Sequence, residues 1–428
     1  MTGLRWTRRQ VVKASLATGA AAAMPGWLSA AQEEASPLVA GRDSLRAHAA
    51  AHGLLYGTAV NPALLDVEGM AAGGSTDEYT QLIAGQANIV VAENAMKWAG
   101  LRPTAETFDF ALADKFLRFA ALAGQRVRGH NLCWHEGLPA WFKTTVTKDN
   151  ARQLLVQHIK TVAGRYRGQI HSWDVVNEAV DPKDGRPDGL RKSPWLELVG
   201  PDYIELAFQT AAAADPGAKL TYNDYGIELD TPEQSIKRGQ VLLLLRRLKA
   251  RSIPIHAVGV QSHLKADGPQ PGAGLVTLIR EAGKLGLEVY VTEMDVNTRS
   301  VEGGPMVQDA AVARVYRDYL GMVLKEPNVA AALTWGITSA HTWLNQSKES
   351  WAERSDGARQ RPLPFDDDLR PTPAFMALRE AMDGARPRVE LAPAVAPTVD
   401  PGSLYKPFPV QGSPTTAPPS TAKPTGPS

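Results

Sequence analysis

The sequence contains a single cysteine, Cys133, among its 428 residues. A lone cysteine cannot form an internal disulfide, and it cannot supply the several thiolates of a cysteine-rich metal site. Because Cys133 lies in an apolar, strand-like run, we expect it to be a buried filler of the core. The stability of the fold must therefore come from packing.

The chain also carries almost no net charge, since 46 basic and 45 acidic side chains leave +1 at pH 7. No basic cluster is interleaved with aromatic residues, so we expect no nucleic-acid binding. With 44% hydrophobic and 21% charged residues, the composition is typical of a soluble globular protein with a large core.

The N-terminal segment, residues 1–31, is predicted to be an export signal. Arg8 and Arg9 precede an Ala-rich, mildly apolar stretch, and adjacent arginines in this position resemble a twin-arginine signal. A short membrane anchor is the alternative, but Pro25 and Gly26 interrupt the stretch, which is too weakly apolar to span a bilayer comfortably. We expect export to the periplasm or the extracellular space, with no stable membrane insertion after the signal is removed.

The C-terminal segment, residues 386–428, is dominated by Pro, Thr, Ser, Ala and Gly and shows no helix or strand period. We expect it to be disordered. The residues between the two terminal segments, 40–385, are predicted to form one folded domain.

Within this domain, apolar strands alternate with amphipathic helices. The candidate strands are 54–60, 87–92, 126–134, 169–177, 219–223, 256–261, 288–292 and 329–335. The candidate helices are 110–123, 151–165, 203–214, 235–250, 274–285, 310–324 and 372–382. Eight βα units in about 330 residues predict a (β/α)8 barrel. An open doubly wound sheet is the alternative, but no Gly-x-Gly-x-x-Gly motif follows the first strand.

Two glutamates end buried strands: Glu178 closes the run that begins at Trp173, and Glu293 closes the run that begins at Leu287. In a (β/α)8 barrel the C-terminal strand ends converge on one face, where polar residues are usually functional. A carboxylate there is rigid, partly desolvated and able to reach a ligand, as acid/base or nucleophilic chemistry requires. One such glutamate is more often a solvated or ion-paired residue. Two of them indicate glycoside hydrolysis.

Distinctive motifs follow the strands in order: AENAMKW, GHNLCWH, WDVVNEAV, GVQSHL, VTEMDV and WGITSAHTW. Together they resemble glycoside hydrolase family 10, the retaining endo-β-1,4-xylanases, over residues 54–382. The resemblance implies a (β/α)8 barrel that binds and cleaves β-1,4-xylan and xylo-oligosaccharides without a metal or cofactor. It implies Glu178 as acid/base and Glu293 as nucleophile, with their carboxyl groups about 5 to 5.5 Å apart.

The resemblance also implies supporting roles. Three residues would assist the glutamates: Asn177, His263 and Asp295. Five would bind the glycone: Glu93, Asn94, Lys97, His130 and Trp134. Three would line the cleft near the cleaved bond: Gln261, Trp335 and Trp343. After the fifth strand, two further candidates for substrate binding are Asn223 and Tyr225.

Simpler interpretations remain open for individual residues. His130 and His135 have the chemistry of metal ligands, but no matching carboxylate pair accompanies them, so structural or sugar-binding roles are favoured. Trp335 and Trp343 are also compatible with simple core packing. Glu93 and Lys97 have the i, i+4 spacing of an exposed helical ion pair.

Two positions depart from the pattern of the family. Gly137 stands where Gln is usual, and Ser339 stands where Asp is common. We expect the first change to remove a sugar contact on the glycone side, and the second to weaken hydrogen bonding near Trp343. Because both glutamates are present, we expect activity to survive.

The sequence predicts a monomeric, exported endo-xylanase, to which there are three alternatives. The same two glutamates would serve on another β-1,4-glycan or an aryl glycoside. A non-catalytic carbohydrate-binding protein would not need both carboxylates. A barrel aldolase or isomerase would need a Schiff-base lysine or a phosphate-binding loop after strands seven and eight, and neither is in place.

Overall fold

The computed structural model describes residues 39–388. The predicted signal segment, residues 1–31, and nearly all of the predicted tail, from residue 389 onward, lie outside the described residues.

A closed barrel of eight parallel strands forms the centre of the described domain. Its strands are β1 (Leu55–Val60), β2 (Ile89–Ala92), β3 (Arg126–His130), β4 (Ser172–Asn177), β5 (Lys219–Asp224), β6 (Ala257–Val260), β8 (Glu288–Asn297) and β9 (Val329–Thr334). Neighbouring strands pair in chain order, β9 pairs with β1, and β6 pairs with β8 to close the ring. A short ninth strand, β7 (His263–Lys265), pairs with the end of β8. The predicted (β/α)8 fold is confirmed.

Helices connect the strands around the barrel. In chain order they are α1 (Leu45–Ala51), α2 (Val67–Ala71), α3 (Glu78–Gln86), α4 (Trp98–Leu101), α5 (Ala111–Leu122), α6 (Phe142–Thr145), α7 (Ala151–Arg165), α8 (Pro194–Val199), α9 (Tyr203–Ala214), α10 (Pro232–Ala250), α11 (Ala273–Lys284), α12 (Pro305–Val323) and α13 (Pro373–Asp383). None of these helices is both long enough and apolar enough to cross a bilayer.

The barrel strands are buried on both faces, as expected for parallel strands covered by helices. Every residue of β2, β4 and β9 is buried. The main core fills the space around the strands, and Cys133 belongs to it, as predicted from the sequence. A smaller cluster includes Ile89, Tyr290 and Trp335. Trp335, which directly follows β9, brings this smaller cluster to the C-terminal barrel face.

Two helices that follow barrel strands begin with N-capping residues that can be recognised in the sequence. Thr231 caps α10 by accepting a hydrogen bond from the backbone N–H of Gln234, and Pro232 occupies the first helical turn. Ser193 and Pro194 begin α8 in the same way. The two caps therefore fix where the loops after β5 and β4 end and the next helices begin.

Candidate active site

The two glutamates lie on two barrel strands that are not adjacent: Glu178 directly follows β4, and Glu293 belongs to β8. The backbone N–H of Glu178 donates to the carbonyl of Asn223 at 2.9 Å, which continues the β4–β5 ladder. The backbone N–H of Glu293 donates to the carbonyl of Gln261 at 2.9 Å, which continues the β6–β8 ladder. Both side chains are therefore positioned by hydrogen-bonded sheet.

Two asparagines connect the carboxylates. Asn177 Nδ2 donates to Glu178 Oε1 at 3.1 Å, and Asn177 Oδ1 accepts from Asn223 Nδ2 at 2.8 Å. Asn223 Nδ2 also donates to Glu293 Oε1 at 2.8 Å. The side chain of Thr292 donates to Asn223 Oδ1 at 2.8 Å, which fixes the orientation of the amide. This chain of buried hydrogen bonds holds the two glutamates in one fixed arrangement.

Glu178 is arranged to keep a proton. Its side chain is buried, and its backbone lies in the left-handed region at φ +57°, a strained conformation for a residue with a side chain. Burial raises the pKa of Glu178, the hydrogen bond that Gln261 Nε2 donates at 2.8 Å opposes the rise, and the charges of Asp224 and Glu293 add to it. A carboxyl group with a raised pKa suits a general acid.

Glu293 is arranged to stay ionised. Burial alone would raise its pKa, but the hydrogen bond from His263, the charges of His130 and His263, and the hydrogen bond from Asn223 lower it to about 2. His263 Nε2 lies 3.4 Å from Glu293 Oε2. The two glutamates therefore have opposite pKa shifts, the pattern that separates a proton donor from a nucleophile.

His263 is held by a second carboxylate. Its Nδ1 lies 3.0 Å from Asp295 Oδ1, and Trp343 Nε1 donates to Asp295 Oδ2 at 2.6 Å. Burial would lower the pKa of His263, but Asp295 and Glu293 outweigh it and raise that pKa well above its usual value. The imidazolium therefore persists at neutral pH and keeps its positive charge beside Glu293.

The predicted glycone residues form one polar and aromatic wall. Lys97 Nζ donates to Asn94 Oδ1 at 2.9 Å and lies 5.1 Å from the ring centroid of Trp134 and 5.7 Å from that of Trp335. Glu93, Trp335 and Trp343 line a small pocket beside this wall. The alternative of an exposed Glu93–Lys97 helical pair is wrong, because Lys97 precedes α4 and both side chains are partly buried.

Lys97 interacts electrostatically with both catalytic glutamates. Burial lowers the pKa of Lys97, and Glu293, Glu93 and Glu178 oppose the fall. Burial also raises the pKa of Glu93, against the charge of Lys97 and a hydrogen bond from Asn94. Aromatic faces and hydrogen-bonding groups in this combination suit the faces and hydroxyls of sugar rings.

An ion-pair network holds the His130 side chain in place. Its Nδ1 lies 2.9 Å from Asp174 Oδ2, and Asp174 also pairs with the buried Arg128. Its ring packs edge-on against Trp335 at 5.4 Å. Among residues 39–388 no group of His, Cys, Asp and Glu side chains is arranged to hold a metal ion.

Tyr225 directly follows β5 and is exposed. Arg191 Nη2 donates to its hydroxyl at 3.0 Å, and Arg191 Nε donates to the carbonyl of Glu178 at 2.8 Å. Lys237 Nζ lies 4.0 Å from the ring centroid of Tyr225 and pairs with Asp224 at 2.7 Å. Arg191 and Lys237 thus hold the ring in place, while part of the side chain remains exposed.

Comparison with known families accounts for this arrangement. The profile of glycosyl hydrolase family 10 matches residues 44–381, which is most of the chain. The chain belongs to this family. The resemblance read from the sequence motifs is confirmed.

Relatives in family 10 include a β-1,4-xylanase of Dictyoglomus thermophilum, which is 35% identical over 69% of this chain and 82% of its own length. An endo-1,4-β-xylanase A of Caldicellulosiruptor is 36% identical over 68% of this chain, but this chain matches only 42% of that longer protein. Native xylanase 10B of Thermotoga maritima has a similar structure, with a TM-score of 0.68 and 31% identity over 79% of this chain and 98% of that one.

The structure shows the environments of Gly137 and Ser339, the two positions that depart from the family 10 pattern. Gly137 has φ +62°, and a Cβ built on it would lie 3.2 Å from Cζ3 of Trp134, so glycine leaves the space beside that indole open. The hydroxyl of Ser339 is buried and has no hydrogen-bond partner among the described residues. Trp343 is instead held by Asp295. The effects expected on substrate preference stay predictions.

Sequence reasoning missed several residues of this family 10 site. It did not identify Arg128 and Asp174, which fix His130, or Arg191, which fixes Tyr225. It assigned Asn223 to substrate binding without its hydrogen bond to Glu293. The available signal was a buried polar residue in an apolar strand, because such a residue needs a partner.

Proposed function

We propose that the protein is a retaining endo-1,4-β-xylanase that cleaves internal bonds of β-1,4-xylan by double displacement. The observation that carries this proposal is the pair of buried glutamates with opposite pKa shifts, connected through Asn177 and Asn223. The similarity to relatives named β-1,4-xylanase and endo-1,4-β-xylanase supports the choice of substrate.

In the first step, the carboxylate of Glu293 attacks the anomeric carbon while Glu178 gives its proton to the departing glycosidic oxygen. The products are a covalent glycosyl ester on Glu293 and a shortened xylan chain. The imidazolium of His263 and the amide of Asn223 hold Glu293 ionised and correctly oriented for this attack.

In the second step, Glu178, now a carboxylate, removes a proton from water, and the resulting hydroxide attacks the anomeric carbon. The ester bond to Glu293 breaks and the sugar leaves with its original β configuration. Once Glu293 is esterified its negative charge is gone, which lowers the pKa of Glu178 and suits it to act as a base.

The substrate cleft follows from the same contacts. Glu93, Asn94, Lys97, His130 and Trp134 bind the sugars on the glycone side, where Lys97 lies beside the catalytic charges. Trp335, Trp343 and Gln261 line the reacting ring. Tyr225 presents an accessible face on the side of Glu178 that the leaving group occupies.

The direct test compares hydrolysis of β-1,4-xylan and carboxymethyl cellulose by the wild-type protein and by Glu293→Ala. Short xylo-oligosaccharides should appear only with the wild type and only from xylan. A matched control is Glu281→Ala, because Glu281 pairs with Arg246 and Lys284 on the surface of α11. Cellulose hydrolysis would shift the proposal to another β-1,4-glycan, and activity in Glu293→Ala would end the assignment of the nucleophile.

We further propose that the protein is exported as a folded monomer through the twin-arginine route. Arg8 and Arg9 ahead of a weakly apolar, Ala-rich stretch support this proposal. The test is cell fractionation of a strain that expresses the full chain with Arg8→Lys and Arg9→Lys together. Activity should remain in the cytoplasm, and unchanged export would contradict the proposal.

A further inference from the structure

The loop after β9 carries an exposed indole that the proposed mechanism does not use. Trp351 has 47% of its surface exposed, unlike the largely buried Trp335. Its ring centroid lies 5.1 Å from that of Trp343 with the planes inclined by 51°. Exposed tryptophan on a fixed support is unusual, because indole normally gains free energy by burial.

The backbone around Trp351 is tied to the end of β8. Asn297 Nδ2 donates to the carbonyl of Trp351 at 3.3 Å, and Arg299 Nε donates to the carbonyl of Glu353 at 2.9 Å. Between them, Gln360 Nε2 donates to the carbonyl of Ala352 at 2.6 Å. The exposed indole therefore stands on a loop that is anchored beside the nucleophile strand.

The next residue strengthens this anchor. Arg354 is buried, donates to the carbonyl of Thr298 and pairs with Asp356. The backbone N–H of Thr298 donates in turn to Gln360 Oε1 at 2.7 Å. Every carbonyl from residue 351 to residue 353 is thus matched to a side-chain donor, and a buried guanidinium completes the attachment.

Trp351 also lies at one end of a row of aromatic rings. The row begins with Trp134 and Trp335, which share Lys97, and continues through His263, whose ring lies 6.4 Å from that of Trp335 and 5.2 Å from that of Trp343. The Trp134 end belongs to the glycone side. Trp351 stands at the other end of the row, past His263 and Trp343, which contact Glu293 and Asp295 respectively.

We propose that Trp351 is an additional sugar-binding platform, on which a xylosyl unit of the leaving-group side of the polymer packs its apolar face. This inference rests on the proposed xylanase function. An aromatic face that stacks on a ring contributes enough free energy to change affinity by roughly 2- to 10-fold. The platform matters only for substrates long enough to reach it.

The test is the ratio of kcat/KM on xylohexaose to kcat/KM on 4-nitrophenyl β-xylobioside, whose leaving group carries no sugar. Trp351→Ala and Trp351→Leu should lower this ratio roughly 3- to 10-fold, whereas Trp351→Phe, which keeps a ring, should lower it less. Leu243→Ala is the matched control, because Leu243 is an exposed apolar residue of α10 and should leave the ratio unchanged.

The possible results separate this inference from the function on which it rests. An unchanged ratio would overturn the platform, and so would an equal fall on both substrates, which would show that Trp351 only supports Trp343. A wild-type protein that cleaves neither substrate would refute the xylanase proposal itself, and the platform with it.

Discussion

Replacing His263 with alanine should move the acid limit of activity to higher pH. The pKa of Glu293 lies at about 2 in the native protein instead of its ordinary 4.5, although burial acts in the opposite direction. This difference corresponds to about 3 kcal/mol in favour of the carboxylate. His263 supplies the first of the opposing contributions, a hydrogen bond, and also a positive charge.

The expected magnitude follows from these contributions. Without His263, the largest contribution that opposes burial is lost, and the charge of His130 and the hydrogen bond from Asn223 remain, so the pKa of Glu293 should return to about 4.5 or above. At pH 4 the carboxylate should then be about one-quarter ionised or less, whereas in the wild type it is almost fully ionised. Relative to its own plateau, kcat/KM of the variant should fall about fourfold or more at pH 4.

The assay is a pH profile of kcat/KM on an aryl xylobioside, which needs no help from a polymer cleft. His263→Gln is the matched variant, because glutamine keeps a hydrogen-bond donor but carries no charge, and its acid limit should fall between the other two. Thermal unfolding at neutral pH checks that both variants fold. An acid limit in His263→Ala that coincides with that of the wild type would refute the reasoning.

Three further outcomes follow from the site. Gln261→Ala should move the alkaline limit of kcat/KM to higher pH, because the hydrogen bond from Gln261 lowers the pKa of Glu178 and its removal raises that pKa. An unmoved or lower limit in the pH profile would count against that contact. Glu178→Ala should lower kcat/KM on xylan about 10²- to 10⁴-fold yet spare kcat/KM on substrates with good leaving groups; an equal loss of kcat/KM on both would argue against an acid role. Gly259→Ala should lower the free energy of unfolding by about 1–3 kcal/mol and impair activity, since its Cβ would lie 2.1 Å from Asn223 Oδ1; urea denaturation tests this, and wild-type stability would disprove it.

The barrel was predictable because its strands are short apolar runs that end in polar residues. The predicted 126–134 strand shows the limit of this reasoning, since β3 ends at His130 and the following apolar residues are buried in a loop. Conversely, β8 continues to Asn297, five residues beyond the predicted end, because β7 pairs with its extension. Strand ends depend on pairing partners, which local periodicity does not contain.

Six helices lie outside the predicted set, and the longest of them, α3, was missed for a related reason. The segment Glu78–Gln86, α3, is a helix capped by Asp77, but the sequence around it shows only a weak amphipathic pattern. Its buried residues include Thr80 and Gln86, and these polar residues interrupt the apolar pattern of the buried face in the sequence. Gln86 is buried because it accepts a hydrogen bond from the backbone of Leu45, a contact that only the folded chain creates.

The site was predictable in its residues but not in its connections. The motifs around Glu178 and Glu293 named the two carboxylates, yet the bridge through Asn223 depends on the register that places Asn177 opposite it. The opposite pKa shifts likewise arise from burial and from neighbours on other strands. Residue types can therefore be read along the chain, whereas their electrostatic roles require the assembled barrel face.

The most direct measurement is to trap the covalent intermediate. A 2-deoxy-2-fluoro-β-xylobioside with a good leaving group should inactivate the protein, and mass spectrometry of its peptides should then show one added disaccharide on Glu293. Labelling of another residue, or rapid turnover that releases the α anomer without a trapped ester, would contradict a double displacement through Glu293.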